Sequence, residues 1–195
     1  MKRYMLPTDT HMGGWFMPMK TVNKVIKFWD NPDFQEYKVK GKAKLYNNEE
    51  TSVEDIKDST DIYINAYSVV KPWGEYLDCL QECLEKYVKV FPFSAEVNKF
   101  EIEEIFNYQH YQKGGGFKLV HTENRGCEQS GKRHLVFMTY LDTLKNAGTE
   151  FPDQNLTIPS IKGLTLIWPA YFTHPHASQV SHDHEKKIIT GWYGF

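Results

Sequence analysis

Cysteine, long apolar runs and an excess of charge of either sign are all scarce in this sequence. The 195 residues include three cysteines, an odd and sparse set that argues against a disulfide framework and predicts a reducing, cytoplasmic compartment. No apolar run approaches the roughly 20 residues of a membrane span, and the N-terminus lacks the short apolar core of a signal peptide. The formal net charge of −2 gives no electrostatic case for nucleic acid or an anionic membrane as a partner.

What the chain does contain is enough apolar material for a proper core. Hydrophobic residues make up 41% of the sequence and aromatic residues 15%, which excludes a largely disordered chain. The length predicts a single domain over residues 1–195. Residues 1–95 are expected to support a core formed by residues 96–195, because the earlier half lacks a complete core of its own.

The sequence of the N-terminal support region does not predict one kind of secondary structure. Residues 1–20, which include Gly13-Gly14-Trp15-Phe16, show no clear period and predict a packed irregular arm or a flap. The apolar residues at 22–28 fit either a short strand or a helical turn. Residues 47–61 are acidic and predict a surface loop with a short helix near 53–56, and residues 61–68 alternate as a strand would.

The clearest helix is predicted for residues 73–90. Pro72 stands where a first-turn proline belongs, and Pro92 marks the end. Cys79 and Cys83 are four residues apart on this helix and are interpreted as packing residues rather than a metal pair. The apolar face that we expect to pack on the outside of a sheet consists of Trp73, Tyr76, Leu77, Leu80, Leu84, Tyr87, Val88 and Phe91.

Everything after about residue 100 is typical of strands. The spacing is roughly even, with turn residues between the segments, and predicts a double-sheet barrel or jelly roll. The fold class is therefore mainly β with flanking helices (α+β). The predicted strands are 101–111, 117–123, 134–141, 150–151, 156–158, 163–168 and 186–192.

A candidate metal site lies in the segment 111–123. If residues 117–123 form a strand, Phe117, Leu119, His121 and Glu123 share one face. An imidazole and a carboxylate side by side supply two ligands. A third is available from Phe-Thr-His-Pro-His at 172–176. Two His and one carboxylate with open positions form the facial triad of non-haem Fe(II) oxygenases.

Several features in order carry a family resemblance. Tyr111 lies ten residues before His121, and the His-x-Glu pair follows. Next come Tyr-Leu-Asp at 140–142, Ala-Gly-Thr-Glu-Phe-Pro at 147–152, a distal His after Trp-Pro, and a closing Lys-Lys-Ile-Ile-Thr-Gly-Trp-Tyr. The C-terminal hundred residues or so thereby resemble the iron- and 2-oxoglutarate-dependent oxygenases, and within them the prolyl 4-hydroxylase-like group.

The resemblance implies a double-stranded β-helix (jelly-roll, cupin-like) core that uses Fe(II), 2-oxoglutarate and O₂. It implies hydroxylation of a prolyl or other residue in a peptide or protein, with succinate and CO₂ as co-products; a small-molecule substrate stays open. The implied metal ligands and catalytic residues are His121, Glu123 and His176. The implied cosubstrate-binding residues are Lys186, Tyr140, Tyr111 and Thr190, with Lys187 facing away.

Three questions stay open at the level of sequence. The distal ligand is His174 or His176, and ten-residue spacing to Lys186 favours His176. The family's usual carboxylate is Asp, whereas Glu123 is one methylene longer. The alternative functions are a non-catalytic metal-binding or structural jelly-roll protein and, disfavoured by the ligand spacing, a zinc enzyme. The remaining candidates are expected to be solvated loop residues (His182, His184) or structural residues (His110, His134).

Overall fold

A computed structural model describes residues 1–44, 50–51, 56–68, 70–128 and 130–195. Within these residues the α-helices are α1 (Met19–Phe28) and α2 (Trp73–Val90). Short 3-10 turns occur at Thr8–Thr10, Pro32–Tyr37, Pro92–Ala95 and Ser130–Lys132. The strands are β1 (Arg3–Tyr4), β2 (Gly13–Phe16), β3 (Val39–Lys40), β4 (Ala43–Lys44), β5 (Glu50–Thr51), β6 (Lys57–Asp58), β7 (Thr60–Ile64), β8 (Phe106–Tyr111), β9 (Gly116–Phe117), β10 (Arg133–Tyr140), β11 (Leu144–Phe151), β12 (Leu156–Ser160), β13 (Leu164–Pro169), β14 (Ala177–Ser178) and β15 (Lys186–Gly194).

Two antiparallel sheets form the framework. In the described part of the chain, eight strands pair in the order β1-β2-β13-β10-β15-β8-β7-β3, and three more in the order β12-β11-β14. Two-stranded pairs β4-β5 and β6-β9 lie beside them. With the helices on the outer side of the large sheet, this is a double-stranded β-helix of mainly β, α+β character. The predicted fold class is confirmed.

The central strand β10 shows how the large sheet separates its two faces. Leu135 and Phe137 belong to the apolar cluster that includes the helices, whereas Val136, Met138 and Tyr140 belong to a second cluster between the sheets. Successive side chains of a strand point to opposite faces, so one strand contributes to both clusters. The outer cluster anchors the helices, and the inner one surrounds the cavity described below.

Helix α2 has the predicted bounds and the predicted position. The Trp73 ring of this helix packs edge to face against the Phe106 ring of the large sheet, with ring centroids 5.6 Å apart. The Tyr76 hydroxyl lies 2.9 Å from the buried Thr139 hydroxyl. Cys83 is fully buried, and burial raises the pKa of its thiol to about 12, so it behaves as a packing residue. The structure brings no metal-ligand cluster together at Cys79 and Cys83 among the described residues.

The prediction of an irregular N-terminal arm or flap is wrong for residues 13–16. This segment is strand β2, which pairs with β13 inside the large sheet. Because glycine is uncommon in strands, the two glycines of this segment made a strand difficult to predict from residue propensity. A Cβ at Gly13 would lie 2.4 Å from the Trp15 ring, so a larger residue there would require that ring to move, and one at Gly14 would lie 3.2 Å from Leu166.

The segment at 22–28, which sequence alone left between strand and helix, belongs to helix α1. Its buried residues Val22, Val25 and Phe28 recur at three-residue spacing and face the outer cluster. Neither described helix has the combination of length and apolar character that a membrane span requires.

Several predicted strand limits need correction. Of residues 101–111, only Phe106–Tyr111 form strand β8, and Glu101 makes a single bridge to Gly194. The short segment 150–151 is the end of the eight-residue strand β11, whose register with β12 is irregular between Leu144 and Thr149. Of residues 61–68, strand β7 covers Thr60–Ile64. Of the loop predicted at 47–61, the described residues include strands β5 and β6 and the start of β7, so the loop prediction is wrong there. Residues 53–55 of its short helix lie outside the described residues.

The prediction of a strand over residues 117–123 is wrong for most of that segment, which carries two of the candidate metal ligands. Only Gly116–Phe117 lie in a strand, and His121 makes one isolated bridge with His176. Leu119 is 42% exposed and so does not share the face of its neighbours. Phe117 nevertheless stacks on His121, with ring centroids 3.8 Å apart. The His-x-Glu pair is therefore carried by an irregular segment that is tied to the barrel at His121.

Candidate active site

A cavity of about 620 Å³ opens between the two sheets. Its walls come mainly from the inner faces of β8, β10, β14 and β15 and from the segment that follows β9. All seven residues that the sequence proposed for the site line this one cavity: Tyr111, His121, Glu123, Tyr140, His176, Lys186 and Thr190. His174 and Lys187 are not among the lining residues.

His121, Glu123 and His176 converge at one point of the cavity wall. Their nearest ligand atoms lie within 4.8 Å of one another, and Glu123 Oε1 lies 3.5 Å from the Nε2 atom of each histidine. Two backbone hydrogen bonds between His121 and His176, at 3.0 and 2.9 Å, bring the two segments side by side. Residues 55 positions apart in sequence thus present their side chains to the same point.

The backbone fixes which nitrogen each imidazole presents. His121 Nδ1 lies 2.8 Å from the carbonyl of Leu119, and His176 Nδ1 lies 3.0 Å from the carbonyl of His174. A carbonyl can only accept, so each Nδ1 donates, and in the neutral ring Nε2 keeps its lone pair. Two nitrogen lone pairs therefore face a carboxylate oxygen that is itself an acceptor.

Electrostatics favour the same arrangement. Burial, and then the neighbouring His176, lower the pKa of His121, so its ring is neutral at neutral pH. Burial alone would raise the pKa of Glu123, but the hydrogen bonds that its carboxylate accepts from the imidazoles when these carry a proton on Nε2, and then the charge of Arg133, outweigh it and hold that pKa well below its usual range. A divalent cation can take the place of those protons between the carboxylate and the two Nε2 lone pairs, and this donor set suits Fe(II).

The structure distinguishes between the two candidate distal histidines. His174 Nε2 lies 2.8 Å from the Thr10 carbonyl and must donate to it. Its Nδ1 then accepts from the Thr173 hydroxyl at 2.9 Å. Both nitrogens of His174 are engaged, and only His176 has a nitrogen directed at Glu123. The geometry thus agrees with the sequence preference for His176.

Lys186 is a buried cation without a counter-charge. Its side chain donates to the Ser178 hydroxyl and to the Gln179 carbonyl at 3.2 Å, and the ammonium lies 5.3 Å from the centre of the Tyr111 ring. None of the ion pairs found in the described part of the chain involves it. Burial lowers the pKa of the ammonium to about 8. A buried charge of this kind is costly unless an anion joins it.

The three hydroxyls predicted to accompany Lys186 already have protein partners. Tyr140 donates to Thr149 at 2.7 Å, Tyr111 donates to the Gln109 side chain at 2.5 Å, and Thr190 donates to the Phe137 carbonyl at 3.1 Å. All three still line the cavity. Alternation along β15 places Lys186, Ile188, Thr190 and Trp192 on the cavity side, as the sequence predicted.

Sequence reasoning missed the residues that support these side chains. Ser178 could have been found, because it follows His176 by two residues and alternation puts both on one side. Arg133 and Glu104 could not, since the contact depends on an irregularity in β10. Lys57 forms a buried ion pair with Asp61 at 2.6 Å on the cavity wall, and no sequence signal indicated it.

The remaining histidines are placed as the sequence predicted. His110 Nε2 lies 2.9 Å from the Glu185 carboxylate, and His134 Nε2 donates to the Ser94 carbonyl at 2.8 Å. His182 and His184 are exposed in the loop before β15. None of these four lines the cavity.

Comparison with known proteins bears on the fold. No family model and no curated protein sequence matches the chain. The architecture, with its large sheet, its smaller facing sheet and its outer helices, is nevertheless that of the prolyl hydroxylases among solved structures. The fold is thus a double-stranded β-helix like that of these solved structures, and the site described above lies inside it.

Three solved structures illustrate the likeness. A prolyl hydroxylase from Trichoplax adhaerens, in complex with a hypoxia inducible factor oxygen degradation domain peptide, matches with a TM-score of 0.70 and 17% identity over 95% of this chain and 84% of that chain. The viral collagen prolyl hydroxylase of Paramecium Bursaria Chlorella virus-1, in its 2OG complex, matches with a TM-score of 0.63 and 14% identity over 94% of this chain and 95% of that chain. A Pseudomonas putida prolyl-4-hydroxylase matches with a TM-score of 0.64 and 15% identity over 95% of this chain and 92% of that chain. At such identities the likeness establishes the fold, and activity must be argued from the site.

Proposed function

We propose that this protein is an Fe(II)- and 2-oxoglutarate-dependent oxygenase of the prolyl hydroxylase kind. In this proposal it hydroxylates a prolyl or other residue of a peptide or protein, and 2-oxoglutarate is converted to succinate and CO₂. The observation that carries the proposal is that Lys186, 3% exposed and without a counter-charge among the described residues, lines the same cavity as the three convergent ligands. A barrel that merely bound a metal would have no use for such a lysine.

Each residue has a specific role in this proposal. His121, Glu123 and His176 would hold Fe(II) through two Nε2 atoms and one carboxylate oxygen. Iron, 2-oxoglutarate and O₂ together supply the oxidising chemistry when bound. Lys186 would hold the far carboxylate of 2-oxoglutarate, since a charge-assisted hydrogen bond of this type contributes roughly 1.5–3 kcal/mol.

Three hydroxyls would complete the cosubstrate site. Tyr140, Tyr111 and Thr190 line the cavity with Lys186, and each could turn toward the carboxylate or toward its present partner. The aromatic rings of Phe151 and Trp168 lie about the His176 ring, with centroids 5.5 and 5.2 Å away, and exclude water from that side. A dry surrounding strengthens each of these charge interactions.

A peptide substrate is supported by two unused polar atoms. Asn107 Oδ1 and Trp192 Nε1 are buried without a hydrogen-bond partner, and both side chains line the cavity. Thr190 is the residue directly opposite Asn107, so Trp192 is its diagonal neighbour across β8 and β15. One acceptor and one donor at this spacing suit an N–H and a C=O group of a peptide. The Trichoplax enzyme, which has this fold, was solved with a peptide bound.

The decisive experiment is anaerobic titration of 2-oxoglutarate into Fe(II)-loaded protein by calorimetry. It is followed by succinate measurement with a panel of prolyl peptides, read by mass for the gain of one oxygen atom. The wild-type protein should bind 2-oxoglutarate, and Lys186→Ala should bind it at least tenfold more weakly while still binding metal. Lys187→Ala is the matched control, because Lys187 does not line the cavity. Metal binding without any 2-oxoglutarate binding would instead favour the non-catalytic metal-binding jelly roll.

A further inference from the structure

The side chain of Arg133 reaches the cavity because strand β10 is irregular at its start. Regular alternation would put Arg133 on the outer side with Leu135 and Phe137, which belong to the outer cluster. The register of β10 with β15 shifts between Arg133 and Leu135, and Arg133 lines the cavity instead. An extra residue in one strand commonly redirects a side chain next to an active site.

Three contacts hold the Arg133 guanidinium in one orientation. Its Nε and Nη2 atoms donate to the two oxygens of Glu104 at 2.8 and 2.7 Å, a two-point carboxylate pair. Its carbon Cζ lies 3.4 Å from the centre of the Trp192 ring, within the range of a cation–π contact. The side chains of Arg133 and Glu104 are only 14% and 20% exposed, so solvent competes little for this pair.

The remaining Arg133 nitrogen meets the carboxylate ligand. Arg133 Nη1 donates to Glu123 Oε2 at 3.2 Å and to the Glu123 backbone carbonyl at 3.3 Å. The other oxygen of the same carboxylate, Oε1, is the one that lies 3.5 Å from both His Nε2 atoms. The two oxygens of Glu123 are therefore divided, one toward Arg133 and one toward the histidines.

We propose that Arg133 is a positioning residue that makes Glu123 a one-oxygen metal ligand. This inference rests on the proposed metal site and goes beyond it. Glutamate has one more rotatable bond than the aspartate that is usual at this position, and a free carboxylate can bind a metal through both oxygens. By holding Oε2, Arg133 limits Glu123 to one coordination position. Three positions would then remain for 2-oxoglutarate and O₂.

The proposal explains why Glu104 and Trp192 surround the arginine. Glu104 neutralises the second side of the guanidinium, so that Arg133 does not draw Glu123 away from the histidines. The Trp192 ring packs against the guanidinium, with Cζ 3.4 Å from the ring centre, and limits its movement. Support of this kind around a metal ligand typically changes metal affinity or activity by roughly 10–100-fold when it is removed.

The test measures Co(II) binding by calorimetry and by visible absorption, which reports coordination number without turnover. Arg133→Met should weaken Co(II) roughly 10–100-fold. At saturating Co(II) it should also alter the absorption spectrum and weaken 2-oxoglutarate, because Glu123 can then occupy a second position. Lys132→Gln removes the same charge from the exposed neighbouring residue and should leave all three quantities unchanged.

Glu104→Gln is the second variant, and it keeps Arg133 in place while removing its anchor. Glu104→Gln should cause part of the loss in Co(II) affinity that Arg133→Met causes. The double variant should lose no more Co(II) affinity than Arg133→Met alone, because Glu104 acts on the metal site through Arg133. If Arg133→Met and Glu104→Gln bind Co(II) and 2-oxoglutarate as the wild-type protein does, the positioning role is wrong. A wild-type protein that binds no Co(II) would overturn the proposed function itself, so the two failures are distinct.

Discussion

The substitution Lys186→Met should make the protein more stable in the absence of ligand while weakening 2-oxoglutarate binding. Methionine has a similar length and no charge, so it fills the same space within the cavity wall. The change removes a buried ammonium whose hydrogen-bond partners among the described residues, the Ser178 hydroxyl and the Gln179 carbonyl, are both neutral. Most core substitutions lower stability, so a gain at this position would be informative.

The size of the gain follows from the pKa of Lys186. Burial lowers this pKa from 10.5 to about 8, and at about 1.4 kcal/mol for each pKa unit the buried charge costs about 3 kcal/mol below pH 8. Against this, the Ser178 hydroxyl loses the donor it accepts from and the Gln179 carbonyl keeps only the Ser178 hydroxyl as donor, at a cost of about 1–2 kcal/mol. The net stabilisation is then about 1–2 kcal/mol, and the melting temperature should rise by about 2–8 °C for a chain of this length.

The pH dependence of the free energy of unfolding tests independently whether the charge of Lys186 destabilises the folded protein. Because the pKa of Lys186 is lowered on folding, the folded protein holds fewer protons than the unfolded chain between about pH 8 and 10.5. Wild-type stability therefore gains from rising pH across this window, and the cost of the buried charge disappears at its upper end. The advantage of Lys186→Met should shrink from pH 8 upward and become a deficit of about 1–2 kcal/mol by pH 10.5, where the charge cost is gone and only the lost hydrogen bond remains.

The assay is urea denaturation of the metal-free protein at several pH values between 7 and 10.5. Lys187→Met is the matched control, since it removes a charge from the adjacent residue outside the cavity, and it should show neither the gain nor its pH dependence. A Lys186→Met variant that is less stable than the wild-type protein at pH 7, or whose advantage is constant with pH, would refute the reasoning. Either result would mean that Lys186 already has an anionic partner.

Three further predictions follow from the same structure. His176→Ala should abolish Co(II) binding by calorimetry, whereas His174→Ala should retain it and lower thermal stability, because His174 supports the Thr10 carbonyl; the reverse result would reassign the distal ligand. A fragment of residues 96–195 should show no cooperative unfolding by circular dichroism, since it lacks β2 and α2; a stable fragment would contradict this. The affinity for 2-oxoglutarate should fall as pH rises above about 8, because Lys186 must be protonated to bind a carboxylate; a flat profile would contradict the proposed contact.

Local patterns in the sequence were sufficient where one period or one spacing dominated. Helix α2 has the bounds that its apolar stripe and flanking prolines indicate, because a 3.6-residue period over eighteen residues has few alternatives. The inward face of β15 was equally predictable, since strict alternation on a buried strand leaves one choice once Lys186 faces the cavity. The candidate ligands and Lys186 were found through ordered spacing along the chain.

Features set by partners distant in sequence were not predictable. Strand β2 contains two glycines that disfavour a strand locally, and it forms because β13 offers it a place in the sheet. The segment 117–123 alternates well but does not form a strand over its length, because after Phe117 its one β-bridge among the described residues is that of His121 to His176. The choice between His174 and His176 depended on the Thr10 carbonyl, which lies 164 residues away in sequence.

The two faces of the large sheet make opposite contributions to the free energy of unfolding. The outer face buries Trp73, Tyr76, Phe106 and Phe137 among apolar neighbours, at roughly 1.5–3 kcal/mol for each large side chain. The inner face carries Lys186, which has no counter-charge among the described residues and costs stability until an anion binds. A domain with a net stability of only about 5–15 kcal/mol can hold such a cavity because the outer face compensates for it. Replacement of Lys186 by an apolar residue should therefore stabilise the protein and impair 2-oxoglutarate binding, whereas truncation of the outer aromatics should destabilise the protein without removing a cavity residue.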